Sequence, residues 1–242
     1  MTPRLEWRGV RMRFDGRTVL DGLDLAAAPG RSLVVLGASG AGKSVALKIA
    51  AGLVAADEGE VRLDGERLAP GAGHARRYGL LFQGGALFDS LPVWENVAFR
   101  LLNADRLARR IARDRALEAL AQVRLGADVA ERRPAELSGG MQKRVALARA
   151  IVAEPDILLF DEPTTGLDPA TARAIDALIV EQVHRLGCTA VTITHDIDST
   201  RRIADDVALL HAGRIAWRGS PAELDTCDDP RFRDFLGVGP AA

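Results

Sequence analysis

The run Gly37-Ala38-Ser39-Gly40-Ala41-Gly42-Lys43-Ser44 constrains this chain more than any other part of it. It is a full G-x-x-x-x-G-K-S pattern, preceded by the apolar run Leu33-Val34-Val35-Leu36 and followed by a helical pattern. A buried strand, a glycine-rich turn and a helix in that order make a phosphate loop. Glycines let backbone N–H groups curl around phosphate oxygens, and the helix N-terminus adds partial positive charge. Gly37, Ala38, Ser39, Gly40, Ala41, Gly42 and the following Val45 form the candidate cradle. Lys43 is placed to reach β- and γ-phosphates, and the Ser44 hydroxyl to ligate Mg²⁺. The plainer alternative is a glycine-rich turn that caps a helix.

The rest of the chain supplies a fold for such a loop. Ile157-Leu158-Leu159-Phe160, Ala190 to Thr194 and Val207 to Leu210 are further short apolar runs. Continuous rather than alternating runs suit strands buried on both faces, as in a parallel sheet covered by helices. Ala46–Leu53, Met141–Val152 and Ala170–Leu186 carry apolar residues at helical spacing, so an α/β fold with a mostly parallel sheet is expected. Two regions depart from this rhythm. Val10, Met12 and Phe14 alternate with arginines, and residues 19–25 and 59–65 read as further strands, which predicts an antiparallel β lobe at the front. Residues from about 84 to 150 read as an inserted helical subdomain, leaving 1–83 and 151–242 as the core and lobe of one domain spanning 1–242. Arg109, Arg110 and Arg113 are assigned to a solvated helix face, and Gly237–Ala242 to a frayed end.

Charge and composition exclude several functions. A net charge of −1 and 5% aromatic residues argue against nucleic-acid binding, which needs a basic face or a stacking platform. Cys188 and Cys227 lack metal-ligand spacing and read as reduced thiols. The charged start, Met1 to Val10, is unlike a secretory signal, and no apolar run approaches the ~20 residues of a membrane span.

Other residues carry chemistry. Asp161-Glu162 follows the 157–160 run, and ligands of open α/β sheets bind at strand carboxyl ends. Asp161 is placed to hold Mg²⁺ through water, and Glu162 to take a proton from the attacking water or orient it; helix capping is the alternative. In Leu137-Ser138-Gly139-Gly140-Met141, Ser138 is either a plain N-cap or the edge of an anion site made by bare N–H groups. Gln83 after Leu81-Phe82, then Gly166-Leu167-Asp168, and His195 after Thr194 complete the series. A histidine standing alone would be read as structural.

In this order the motifs resemble the nucleotide-binding subunit of ABC (ATP-binding cassette) transporters, from residue 4 to about 220. The resemblance implies ATP with Mg²⁺, and Phe14 stacked on adenine. Gln83 would link Mg²⁺ to the membrane partner, residues 137–141 would be the family signature, and His195 would touch the γ-phosphate. Met141 stands where the family more often has Gln. The family also implies a homodimer holding two ATP molecules head to tail, each signature loop (Ser138, Gly139, Gly140) closing on the ATP of the other subunit, with Asp168 among the nucleotide-binding residues.

The stretch Leu80 to Val97, with Phe82-Gln83-Gly84-Gly85-Ala86-Leu87-Phe88, is similar to MlaF-type cassettes of phospholipid and Mce-associated transporters. Ser44 to Lys48 and Leu137 to Val145 look like the same group. That resemblance implies an MlaE-like permease, a Mce-type lipid-binding subunit and a place on the cytoplasmic face of a bacterial inner membrane. Leu87, Phe88 and Leu91 either floor a groove for a permease coupling helix or belong to the helical core. A cassette for an amino-acid or ion importer stays open beside this reading, as does a non-transport ABC ATPase.

Overall fold

The computed structural model describes residues 2–68 and 76–236, so the end expected to fray at Gly237–Ala242 lies outside the described residues. In chain order the elements are β1 (Leu5–Phe14), β2 (Arg17–Ala27), β3 (Ser32–Leu36), α1 (Lys43–Ala50), β4 (Glu58–Leu63), β5 (Glu66–Arg67) and β6 (Tyr78–Leu81). There follow α2 (Val93–Asn103), α3 (Arg109–Gln122), α4 (Gly139–Ile151), β7 (Ile157–Asp161), α5 (Pro169–Leu186) and β8 (Thr189–Thr194). The last are α6 (Ile197–Ile203), β9 (Asp206–His211), β10 (Arg214–Gly219) and α7 (Pro230–Leu236). The chain forms two compact units, residues 1–75 with 189–242, and residues 76–188.

The first unit holds the antiparallel lobe, in the order β2-β1-β4-β5. It also holds the strands β10-β9-β3-β8, in which β3 runs parallel to both neighbours. Every residue of β3 and β8 is buried, as continuous apolar runs require when both faces are covered. Between the lobe and these strands lies an apolar core of Trp7, Leu23, Leu25, Val35, Leu47 and Ile193. Burial of each large apolar side chain contributes roughly 1.5–3 kcal/mol. Trp7 adds a directional tie, its indole Nε1 donating to the Ala46 carbonyl of α1 at 3.0 Å.

The helix after the phosphate loop stops earlier than its apolar spacing suggests. Expected to run to Leu53, α1 ends at Ala50, and Leu53 is 55% exposed. Gly52 adopts φ 71°, and the amides of Gly52 and Leu53 donate to the carbonyls of Ile49 and Lys48. This left-handed turn satisfies the last carbonyls and directs the chain out of the helix, overriding the apolar spacing.

In the second unit β6 and β7 pair in parallel, and α2, α3 and α4 form the helical part. The arginines of α3 lie on its wet side: Arg109 pairs with Glu95 and lies over the Trp94 ring, and Arg113 pairs with Glu131. Asn96, fully buried on α2, takes the amide of Phe88 on its Oδ1. Its Nδ2 donates to the carbonyls of Phe88, Leu91 and Pro92. Among the described residues, no helix is long and apolar enough to cross a membrane.

Candidate nucleotide site

β3 ends at Leu36, the loop Gly37–Gly42 follows, and α1 opens at Lys43, so the expected strand, loop and helix occur in that order. Gly40 and Gly42 have φ of 79° and 99°, which L side chains rarely adopt. Gly37 is there for another reason: a Cβ on it would stand 2.6 Å from the Leu210 carbonyl oxygen of β9. Gly42 packs on Val19 and Leu20 of β2, a Cβ on it standing 2.9 Å from the Val19 carbonyl oxygen, and the hairpin partner β1 ends in Phe14. Phe14 is 45% exposed, a large apolar ring kept in contact with water.

Lys43 is buried, and its ammonium folds back over the loop, donating to the carbonyls of Gly37 at 2.6 Å and Ala38 at 3.1 Å. The positive charge is thereby held against the cradle rather than released to solvent. Ser44 and Val45 follow on the first turn of α1, half-buried. Leu36 of β3 pairs with Thr194 of β8, so Gly37 and the exposed His195 leave neighbouring parallel strands at the same level.

The second unit gathers the other group. Leu81 of β6 pairs with Phe160 of β7, so Gln83, Asp161 and Glu162 cluster along the carboxyl ends of two adjacent parallel strands. Gln83 is exposed, whereas both carboxylates are buried. Glu162 sits at φ 51°, a left-handed conformation uncommon outside glycine, and the Thr165 hydroxyl donates to its Oε2 at 2.8 Å. Below it, Lys143 of α4 donates to the Glu162 carbonyl oxygen at 3.5 Å. Burial pushes the Lys143 ammonium below the usual lysine range, against the pull of the Asp161 and Glu162 carboxylates. Lys143 falls within the Leu137–Val145 run, but its place beneath Glu162 is visible only in the fold.

Ser138 caps α4, its Oγ accepting from the Met141 amide at 3.3 Å. Ser138, Gly139, Gly140, Gly166, Asp168 and Thr171 border one open cleft of about 410 Å³. Asp168 caps α5, taking the amides of Ala170 and Thr171 at 3.0 Å each. Bonds from the Thr171 side chain and backbone hold its carboxyl below the usual range. A Cβ on Gly140 would stand 2.7 Å from the Thr171 methyl, so glycine is required for α4 and α5 to approach here. First-turn amides have no carbonyl of their own helix to bond; Ser138 takes that of Met141, and the cleft can offer those of Gly139 and Gly140 to an anion.

A phosphate loop on a buried parallel strand, with carboxylates and a glutamine at parallel strand ends, defines a P-loop ATPase; the ABC transporter family model matches residues 20–165. This chain belongs to the ABC transporter ATP-binding cassettes and is the ATPase subunit of such a transporter, hydrolysing ATP to drive transport. It is 37% identical to the intermembrane phospholipid transport system ATP-binding protein MlaF of Escherichia coli K12, over 96% of this chain and 88% of that one. It is 38% identical to the Fe(3+) ions import ATP-binding protein FbpC 2 of Rhodococcus jostii, over 98% of this chain and 68% of that one. A solved dimer of the ATP-binding cassette MJ0796 in a post-hydrolysis state, bound to ADP and Pi, superposes with a TM-score of 0.81. That match has 31% identity and covers 90% of this chain and 98% of the other.

Proposed function

We propose that this cassette powers phospholipid movement between membranes, through a separate MlaE-like permease and a Mce-type lipid-binding subunit. The observation that carries the reading is the segment from Gln83 to Val97, similar in sequence to MlaF-type cassettes. Phe88 is 42% exposed there and stacks on Phe99 at 4.5 Å, while half-buried Leu87 and Leu91 flank it. An exposed aromatic held rigid from beneath is suited to receiving an apolar helix of a membrane partner. The similarity to MlaF supports the same substrate, and the cassette then works on the cytoplasmic face of the inner membrane.

The residue roles follow the chemistry of each group. Lys43 and the loop amides of 37–44 neutralise the phosphates, and Phe14 stacks on the base. Ser44, Gln83 and Asp161 are hard oxygen donors, a set that fits Mg²⁺ together with phosphate oxygens and water. Bound there, Mg²⁺ supplies charge neutralisation at the transferred phosphoryl group. Glu162, aimed by Thr165, accepts the proton of the attacking water, and His195 contacts the γ-phosphate. The cleft at Ser138, Gly139, Gly140 and Asp168 closes on the nucleotide of a second copy, so the active form is a homodimer. The solved MJ0796 dimer supports that arrangement for this family member. One domain is proposed over 1–242, with 84–150 as its helical subdomain.

The test is purification of the complex from membranes, followed by lipid transfer between labelled proteoliposomes. Lipid transfer that requires ATP and is lost in Phe88→Glu is the expected result. A charge placed in an apolar contact is costly to desolvate, so the variant binds ATP and leaves the permease. The 38% identity to FbpC 2, beside 37% to MlaF, favours an iron-importer cassette as the second reading. ATPase activity stimulated by a Fe(3+)-loaded receptor, with no lipid transfer, would overturn the lipid reading and leave the catalytic roles standing.

A further inference from the structure

Arg149, about three turns along α4 from the Ser138 cap, carries a cation with an unusual set of partners. Its Nη1 donates to the Ala86 carbonyl at 2.7 Å and its Nη2 to the Gly85 carbonyl at 2.6 Å. Among the described residues no carboxylate pairs with it, and burial alone lowers its pKa from the usual arginine range. A half-buried guanidinium bonded only to neutral carbonyls gives up hydration without the return of a counter-charge. What it holds is the segment directly after Gln83, where Gly84, Gly85 and Ala86 stand at φ of 78°, 80° and 46°. Three left-handed residues in succession turn two carbonyls toward one planar fork, and Ala86 has no glycine's freedom to do so. Gly85 lies beside the same helix, where a Cβ on it would meet the Ala146 methyl at 3.5 Å, an ordinary van der Waals contact.

We propose that Arg149 is a positioning residue for ATP hydrolysis, fixing the loop that bears Gln83 to the helix whose first turn is the Ser138 cleft, so that the two move as one body. The proposal rests on the roles given above to Gln83 and Ser138. By this link a helix tied at one end to the nucleotide of the second copy carries its position to Gln83 at its own strand end. Downstream, Asn96 ties Phe88 to Pro92 onto α2, so the exposed Phe88 segment lies between two fixed points. Displacement of that segment by a permease therefore reaches α4 through Arg149.

The experiment compares Arg149→Met, which keeps length and loses the fork, with Arg149→Lys, which keeps the charge as a single point donor. ATPase activity is measured on the assembled transporter, ATP affinity by direct binding, and amide hydrogen exchange with and without Mg·ATP. Arg149→Met is expected to lower kcat by about tenfold or more while ATP affinity stays within about twofold, with Arg149→Lys between it and wild type. In wild type, Mg·ATP protects 83–86 and 138–142 together; in Arg149→Met the protection of one no longer follows the other. If Arg149→Met does not fold, Arg149→Lys and Gly85→Ala are read by the same exchange criterion, which needs no activity. Wild-type kcat with joint protection retained in the variants overturns the proposal. Gln83→Ala and Ser138→Arg run alongside: activity unaffected by those two would instead overturn the roles on which it rests.

Discussion

Replacing Asn96 by Ala removes four hydrogen bonds at once, and the structure shows how much of that loss remains uncompensated. The Phe88 carbonyl still accepts from the Leu91 amide at 3.1 Å, and the Pro92 carbonyl from the Asn96 backbone amide at 3.0 Å. The Phe88 amide and the Leu91 carbonyl, by contrast, have the Asn96 side chain as their partner. Each buried polar group stripped of its partner costs about 1–3 kcal/mol, and each net bond lost about 1 kcal/mol. Phe88 is exposed and Leu91 half-buried, so water reaches part of the loop and the lower end of the range applies. The expected loss is about 2–4 kcal/mol, a large share of a typical domain's stability. Asn96→Asp keeps the acceptor for the Phe88 amide but turns a second acceptor toward three carbonyls. It should therefore be worse than Ala at pH 7 and recover as the pH falls, because a protonated carboxyl can donate again. Urea denaturation of both variants at two pH values, with m unchanged, measures this. A loss below about 0.5 kcal/mol for Asn96→Ala would mean that the loop is not held from beneath, and the rigid Phe88 platform would fall with it.

Three further outcomes are expected. Glu162→Gln should retain ATP binding and lower kcat by about 10²–10⁴-fold, since the amide cannot take the water's proton; near-wild-type turnover would remove Glu162 from its role. Gly37→Ala should cost about 1–3 kcal/mol in thermal or urea unfolding, because its Cβ meets the Leu210 carbonyl at 2.6 Å and β9 must shift. Burial pushes the Cys188 thiol up to about 11, so it should resist alkylation at pH 8 in the native protein while half-buried Cys227 reacts first. With the folded value raised, the stability tied to the neutral thiol is full below the unfolded value of about 8.5 and declines as pH rises toward about 11. Equal alkylation rates for the two cysteines would contradict the burial of Cys188.

Local chemistry made much of this protein legible before its fold. Gly37 to Ser44 announces a phosphate loop, because glycines, lysine and hydroxyl act within eight consecutive residues. The buried strands β3, β7 and β8 are equally readable, since covering both faces of a sheet imposes unbroken apolar runs. Ser138 declares itself as a helix cap by residue type, and it does cap α4; that Asp168 likewise caps α5 emerges only in the structure. What depends on pairs distant in sequence was hidden. The contact of Arg149 with Gly85 and Ala86 joins residues more than sixty positions apart, and the spacing of an arginine on a helix says nothing of its partner. Lys143 beneath Glu162, and Gly140 against Thr171, depend likewise on how α4 is laid on its neighbours. Even the end of α1 was decided by the turn at Gly52 rather than by apolar spacing, which continues to Leu53. A motif records what neighbouring residues do together, and only tertiary packing determines which distant carbonyl, carboxylate or methyl group a side chain will meet.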